Sequence, residues 1–282
     1  MAAAVRVAVV GHVEWVWFAR VPHVPRAGEI VHSTRSWEEA AGGGAVAAVQ
    51  LAKLAGAASF LTALGDDDRG RRSEQQLRDQ GVDVGVAWRE RPTRRAFTHT
   101  DDEGERTITI AGERIVPHGG DRLPWDSLRD FDAVYFTGGD VGALRAARAA
   151  RVLVATPRAR GVLADAGVRL DALVRSTVDP GEVIAPREIE PAPKLIVATA
   201  GAHGGEWLGA EGRTGKFAAA PLPGRVADSY GCGDSFAAGL TYALGAGMDV
   251  EHALALAARC GAACLTGNGP YEAQLELESP AA

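Results

Sequence analysis

The stretch Asp228-Ser229-Tyr230-Gly231-Cys232-Gly233-Asp234-Ser235-Phe236 joins a glycine-rich turn to two carboxylates. Phe236, Leu240, Ala243 and Leu244 then follow at helical spacing. A turn of this kind feeding a buried helix aims several backbone N–H groups at one point, and the helix dipole adds positive potential there. Glycine lets backbone approach a phosphate with no Cβ in the way. Asp234 therefore stands beside a site built for anions, and two readings of it are open. As a general base it takes a hydroxyl proton while the neighbouring amides hold a transferring phosphoryl group. As a helix N-cap it only satisfies a backbone N–H.

Other motifs carry less. Gly42-Gly43-Gly44-Ala45-Val46-Ala47 fits the loose pattern G-x-G-x-x-A. The preceding Trp37-Glu38-Glu39-Ala40-Ala41 does not read as the strand a dinucleotide site requires, so a dinucleotide oxidoreductase rests on that weak match alone. Gly215-Lys216 lacks the following Ser/Thr and the upstream glycine of a P-loop. Gly233–Ala237 is one residue short of a nucleophile elbow and no strand runs into it, which sets a hydrolase aside. Cys260 and Cys264 share a helix face without the further Cys or His that zinc needs, and read as core. Cys232 reads as a thiol of lowered pKa or as a small residue giving only its N–H, the second being preferred.

The elements that position these residues are legible as alternating strands and helices. Val5–Val10 reads as a buried strand, Ala45–Leu54 as a buried helix opened by glycines, Ser59–Leu64 as a strand and Arg71–Gln80 as a polar helix closed by Gly81. The alternation then pauses. Arg94–Thr100 and Arg106–Ile110, joined by Asp101-Asp102-Glu103-Gly104-Glu105, predict a hairpin with polar residues on both faces. It resumes with strands at Ala133–Thr137, Val152–Ala155, Ala172–Arg175 and Leu195–Thr199, and helices near Val141–Ala149 and Ala159–Ala166. A second hairpin (Glu206–Leu208, Arg213–Phe217) and helices at about Gly233–Leu244 and Val250–Leu265 complete the chain. Repeated βα units predict a mostly parallel sheet covered on both faces. The polar segments near 12–36 and 93–111 do not fit that sheet and read as a lid. No linker or repeat separates a second domain, so 1–282 reads as one unit. The tail from Glu272 reads as a surface strand or extension.

Length and composition agree with this. The 282 residues carry a net charge of −6, with 46% hydrophobic and 23% charged residues, an ordinary globular balance. An acidic chain is a poor general partner for nucleic acid or anionic membrane. Its apolar stretches are far shorter than a membrane span, and Met1–Val10 has no signal-peptide pattern. Three cysteines are too few for a disulfide framework, so a cytoplasmic setting is expected. Arginine outnumbers lysine 27 to 3, which reads as compositional bias.

Over nearly its whole length the sequence resembles the ribokinase-like, PfkB-type carbohydrate kinases. Asp228–Phe236 is similar to that family's specific D-T-x-G-A-G-D-x-F signature. Further matches run in order: Pro25-Arg26-Ala27-Gly28-Glu29, the glycine-rich Ala41–Ala55, Leu64-Gly65-Asp66-Asp67-Asp68-Arg69-Gly70, and Leu77–Asp83 ending in Gly-Val-Asp. Gly104-Glu105-Arg106-Thr107-Ile108 resembles the lid strand, and Thr199-Ala200-Gly201-Ala202-His203-Gly204 the nucleotide loop. The resemblance implies a three-layer α/β/α domain with a small β lid, and ATP-dependent phosphorylation of a hydroxymethyl group. It makes Asp234 the catalytic base and Gly231, Cys232 and Gly233 the anion hole. Thr199, Gly201 and Gly204 line the ATP site, with the helix around Cys260 flanking the adenine. Mg²⁺ arrives with ATP, held largely by phosphates and water. Asp228 stands where some members bind a monovalent cation, and Glu182 is a second metal-side carboxylate.

The acceptor side departs from the family. Val16 stands where sugar kinases of this type carry an Asp, with Glu14 the nearest carboxylate, and Val46 stands where they carry an Asn. Ser176 replaces the Asn of the Asn-x-x-Glu motif, with Asp179 and Glu182 close by. Glu14, Gly42 and Gly43 are then the expected substrate contacts. Two valines in place of hydrogen-bonding groups predict poor use of ribose and fructose. Trp15, Trp17 and Trp37, read as facing the pocket, suit a nucleoside or an aromatic alcohol. Alternatively they seal the lid or a homodimer contact through it. The leading expectation is a kinase acting on a primary alcohol of a sugar-like or nucleoside-like metabolite. The alternative is a protein of the same fold that binds nucleotide or metabolite without turnover.

Overall fold

The computed structural model describes residues 4–184 and 188–277. Short β-branched runs form the strands, and period-two alternation sorts their side chains between two cores. In β1 (Val7–Gly11), Val7 and Val9 enter one core while Ala8 and Val10 enter the other. The following elements are β2 (Glu14–Arg20), β3 (Arg35–Ala41), α1 (Gly43–Ala55), β4 (Ala58–Gly65), α2 (Asp68–Asp79) and β5 (Val82–Arg89). Then come β6 (Arg95–Thr100), β7 (Arg106–Ala111), β8 (Ala133–Phe136), α3 (Val141–Ala147), β9 (Val152–Ala155), α4 (Arg160–Ala166) and β10 (Ala172–Ser176). The last are β11 (Leu195–Thr199), β12 (Gly205–Gly209), β13 (Thr214–Phe217), α5 (Cys232–Gly245) and α6 (Val250–Cys264).

Nine strands form one sheet in the order β13-β12-β11-β10-β9-β8-β1-β4-β5. From β11 to β5 all neighbours are parallel, and β12 and β13 form the antiparallel edge. Helices α1, α5 and α6 supply residues such as Leu51, Leu240 and Leu254 to one core, and α3 and α4 supply Leu144 and Leu163 to the other. The result is the three-layer α/β/α arrangement expected, with fully buried central strands as a doubly covered parallel sheet requires. A separate four-stranded sheet, β3-β2-β6-β7, sits over it. Among the described residues no helix is long and apolar enough to cross a membrane.

Three details correct the sequence reading. The segment 82–89, passed over as a pause, is β5, paired in parallel with β4 along its length. It is an edge strand whose only fully buried side chains are Val82 and Val84, so its apolar signal is weak. The residues before Gly42 do form a strand, β3, in spite of their two glutamates. It belongs to the small mixed sheet, pairing antiparallel with β2, so no βαβ dinucleotide unit results. The tail is not a surface strand. Gln274 is buried and donates from Nε2 to the Val46 carbonyl (3.0 Å) and the Ser235 hydroxyl (3.2 Å), tying α1 to the start of α5. Its end, 278–282, lies outside the described residues.

Candidate active site

The Asp228–Phe236 stretch builds its turn from its own residues. Buried Asp228 accepts from the Tyr230 N–H (2.9 Å), the Thr100 hydroxyl (3.1 Å) and the Gly269 N–H (3.2 Å). Gly231 then caps α5 at φ 81°, a left-handed conformation that glycine adopts without penalty. The first intrahelical bond runs from the Ser235 N–H to the Gly231 carbonyl (2.8 Å). The N–H groups of Cys232, Gly233 and Asp234 therefore have no partner inside the helix. A Cβ added at Gly233 would meet nothing within 4 Å, so the space in front of these amides is open. Free amides, a helix dipole and open space are what an anionic phosphate needs.

Asp234 lies in the first turn of α5, and the helix has no side-chain cap. This removes the N-cap reading. Its half-buried carboxyl is raised from 3.8 to about 6, by burial first and by the charge of Glu182 second, against the pull of Arg106 and Arg158. The Cys264 side chain first and burial second push the Cys232 thiol well up. Cys232 is therefore held as a neutral thiol.

The expected acceptor contacts converge on this point. A Cβ at Gly43 would lie 2.8 Å from Asp234 Oδ1, and one at Gly42 would lie 3.2 Å from Glu14 Cγ. Only glycines let the start of α1 pass between the two carboxylates. Gly42, at φ 87°, also donates its N–H to the Tyr230 hydroxyl (3.2 Å). Glu14 is buried, 3.2 Å from Arg94 Nε, and burial raises its pKa against the pull of Arg94. Val16 is fully buried in the small sheet, and Val46 packs beneath the turn, where its Cγ1 would stand 3.0 Å from a Cβ on Gly231.

Strand register corrects the placement of the tryptophans. Glu14, Val16 and Phe18 point to the site, and Phe18 packs edge-on against Tyr230 at 4.9 Å. Trp15 and Trp17 point to the opposite face. There the Trp15 indole donates to Glu38 (2.9 Å) beneath the Arg72 guanidinium, and Trp17 packs against Phe97 and His99. Trp37 shares the site's face but lies stacked on Phe18 at 5.0 Å.

Where the nucleotide is expected, Thr199 ends β11, and Gly201 and Gly204 (φ 56° and 75°) shape the turn after it. A Cβ at Gly204 would fall 2.1 Å from the Phe217 carbonyl oxygen, so no side chain fits. Phe217 stacks on Phe236 at 5.7 Å, which docks this turn against α5 two residues from Asp234. Cys260 departs from expectation: it is fully buried, and its Sγ would stand 2.7 Å from a Cβ on Gly239. The close crossing of α5 and α6 consumes that side chain, so Cys260 itself offers no surface to a ligand.

The metal-side carboxylates are also committed internally. Glu182 accepts from the Ser176 N–H (2.7 Å) and Arg158 Nε (3.2 Å), and Asp228 holds the three bonds described above. Among the described residues no group of three His, Cys, Asp or Glu could hold a metal. Asp228 and Glu182 thus belong to no cluster of three metal-ligating side chains among the described residues.

Sequence reading missed the arginines. Arg106 donates to the Ser229 carbonyl (2.9 Å) and hydroxyl (3.1 Å), and the Ser229 N–H donates to the Gly104 carbonyl (3.0 Å), so the β6–β7 hairpin is tied to the glycine-rich turn before α5. Arg94, Arg114 and Arg158 gather around His12 and Glu14. Arg94 is held in place by the Gly-Asp-Asp-Asp-Arg-Gly motif. Asp67 accepts from the Gly70 N–H (2.8 Å) and from both the N–H (2.8 Å) and hydroxyl (2.6 Å) of Thr93, the residue before Arg94. The arginine excess was the available signal, and a background of 27 arginines hid it.

A carboxylate beside unpartnered helix-start amides, at the C-terminal edge of a mostly parallel sheet, defines a phosphotransferase for small molecules. Residues 5–167 and 169–276 match the model of the pfkB family carbohydrate kinases, and the chain belongs to that family. It is 32% identical over 281 residues to an ATP-dependent ribose-1-phosphate kinase of Halopiger xanaduensis, covering 92% of this chain and 91% of that one. Among solved structures it resembles Arabidopsis thaliana ribokinase complexed with ribose and ATP (TM-score 0.74, 20% identity, 96% of each chain). It also resembles adenosine kinase from Sinorhizobium meliloti (TM-score 0.76, 19% identity, 95% of this chain and 96% of that one). The protein is an ATP-dependent small-molecule kinase with the ribokinase-like fold.

Proposed function

We propose that the protein transfers the γ-phosphoryl group of ATP to a primary hydroxyl of a small sugar metabolite, with Asp234 as general base. The carrying observation is the Asp234 carboxyl, raised to about 6 and set in the first turn of α5 with the free amides of residues 232–234. At neutral pH it is ionised yet basic enough to take a proton as the hydroxyl oxygen attacks phosphorus. The Cys232, Gly233 and Asp234 amides stabilise the charge on the transferred group, and the turn at Gly201–Gly204 receives the nucleotide. Mg²⁺ fits this scheme as the companion of the ATP phosphates, since Asp228 and Glu182 are spent on internal bonds.

The relative from Halopiger makes ribose 1-phosphate the first acceptor to test. The orientation of the tryptophans argues against an aromatic alcohol, because Trp15 and Trp17 face away from Glu14. The test is ³¹P NMR of reactions with ATP and, separately, ribose 1-phosphate, ribose and adenosine. A new phosphomonoester signal with matching ADP release supports the reading. ATP conversion equal to that without acceptor, for all three, refutes it.

A further inference from the structure

We propose that Arg94, Arg114 and Arg158 form a receptor for a phosphate already carried by the acceptor, which holds the sugar with its free primary hydroxyl toward Asp234. This rests on the phosphoryl-transfer reading above and names the class of acceptor, a sugar phosphate.

The three guanidinium groups come from two directions. Arg94 precedes β6 and Arg114 follows β7, so they stand at the same end of one hairpin, where Arg95 pairs with Ala111. Arg158 lies in the turn after β9. Their pairing is unequal. Arg94 has Glu14 at 3.2 Å, and Arg158 is bound by Asp179 and Glu182. Arg114 donates only to the Arg158 carbonyl (3.4 Å) and has no carboxylate partner among the described residues. Burial and the charges of Arg94 and Arg158 both lower its pKa. A half-buried cation among like charges is costly unless an anion joins it.

Two further groups there lack partners. His12 is 6% exposed, and its Nδ1 makes no hydrogen bond. Arg94 Nε is buried without one as well, since the Glu14 contact is not aligned. Burial and the same three arginines hold the His12 imidazole neutral, so it can still donate to an anionic oxygen. A dianionic phosphate matches several convergent guanidinium donors better than any sugar hydroxyl does.

The spacing suits one substrate. Gly42 abuts Glu14 beside the arginines, and Gly43 abuts Asp234. Adjacent residues at the start of α1 thus touch the carboxylate beside the arginines and the carboxylate proposed as base, so the two ends share one site. Arg158 lies within electrostatic reach of both Asp234 and Glu14. The valines at 16 and 46 are then intelligible: the acceptor is selected by its phosphate, and fewer hydroxyl contacts are needed.

The experiment uses the full chain and Arg114→Gln, with Arg94→Gln as a second variant in case the first fails to fold. The ratio of kcat/KM for ribose 1-phosphate to that for ribose should fall about 10- to 1,000-fold in the variant. Calorimetry in an Asp234→Asn background reads binding without turnover. Added Arg114→Gln should weaken ribose 1-phosphate at least about tenfold and a non-hydrolysable ATP analogue far less. Equal losses for ribose and ribose 1-phosphate would overturn the receptor. An equal loss for the ATP analogue would do the same, assigning the arginines to the nucleotide. If wild type binds ribose 1-phosphate through Arg114 but never phosphorylates it, the receptor stands and the transfer reading fails.

Discussion

Replacing Asp234 by Asn keeps the shape of the side chain and removes its charge, and the structure assigns opposite consequences to stability and activity. Burial and Glu182 raise the carboxyl from 3.8 to about 6. A gap of about two pH units, at about 1.4 kcal/mol each, means that the ionised group costs the folded state about 3 kcal/mol. Partial solvent contact reduces that to about 1–3 kcal/mol. The folded state holds this proton more tightly than the unfolded chain does. The penalty is therefore complete above about pH 6, shrinks as pH falls toward about 4, and is absent below. Asp234→Asn should accordingly raise Tm at pH 8 by about 2–6 °C, at about 2 °C per kcal/mol for a chain of this size, and by almost nothing at pH 4. The same variant should lose about 10²–10⁴-fold in kcat while still binding ATP. Thermal denaturation at both pH values, paired with a coupled ADP-release assay, reads both effects. A variant that keeps its turnover, or that melts lower at pH 8, would refute the assignment of Asp234 as a strained, ionised base.

Three other outcomes follow from the same geometry. The kcat/KM of the wild type should fall as pH drops through about 6, because the base works only when deprotonated, and the acidic limb should be absent from the residual activity of Asp234→Asn. Gly233→Val should keep its fold, since its Cβ has open space, but fill the volume in front of the free amides; the thermal shift produced by an ATP analogue should disappear. Glu14→Gln should raise KM for the acceptor about 5- to 100-fold with a smaller change in kcat, and a KM that does not move would remove Glu14 from the acceptor site.

What the sequence determined by itself was local and covalently contiguous. Strands such as Val7–Gly11 and Ala133–Phe136 are apolar because helices cover both faces, so burial writes itself into the composition. The turn proposed to bind the phosphate was legible for a similar reason: glycines, Asp228 and Asp234 lie within one short segment, and the free amides follow from helix-end geometry. Val82–Arg89 was missed because an edge strand with little buried surface leaves little trace. The tryptophans were misplaced because facing depends on register, and shifting one residue along a strand reverses the face. Tertiary structure alone decided the rest. Arg94, Arg114 and Arg158 are scattered through an arginine-rich chain, and only the hairpin and the end of β9 bring them around His12 and Glu14. The basicity of Asp234 is likewise a tertiary property, set by burial and by Glu182, a charge 52 residues away in the chain. Electrostatic effects depend on distance and solvent access, and a sequence specifies neither until the chain has folded.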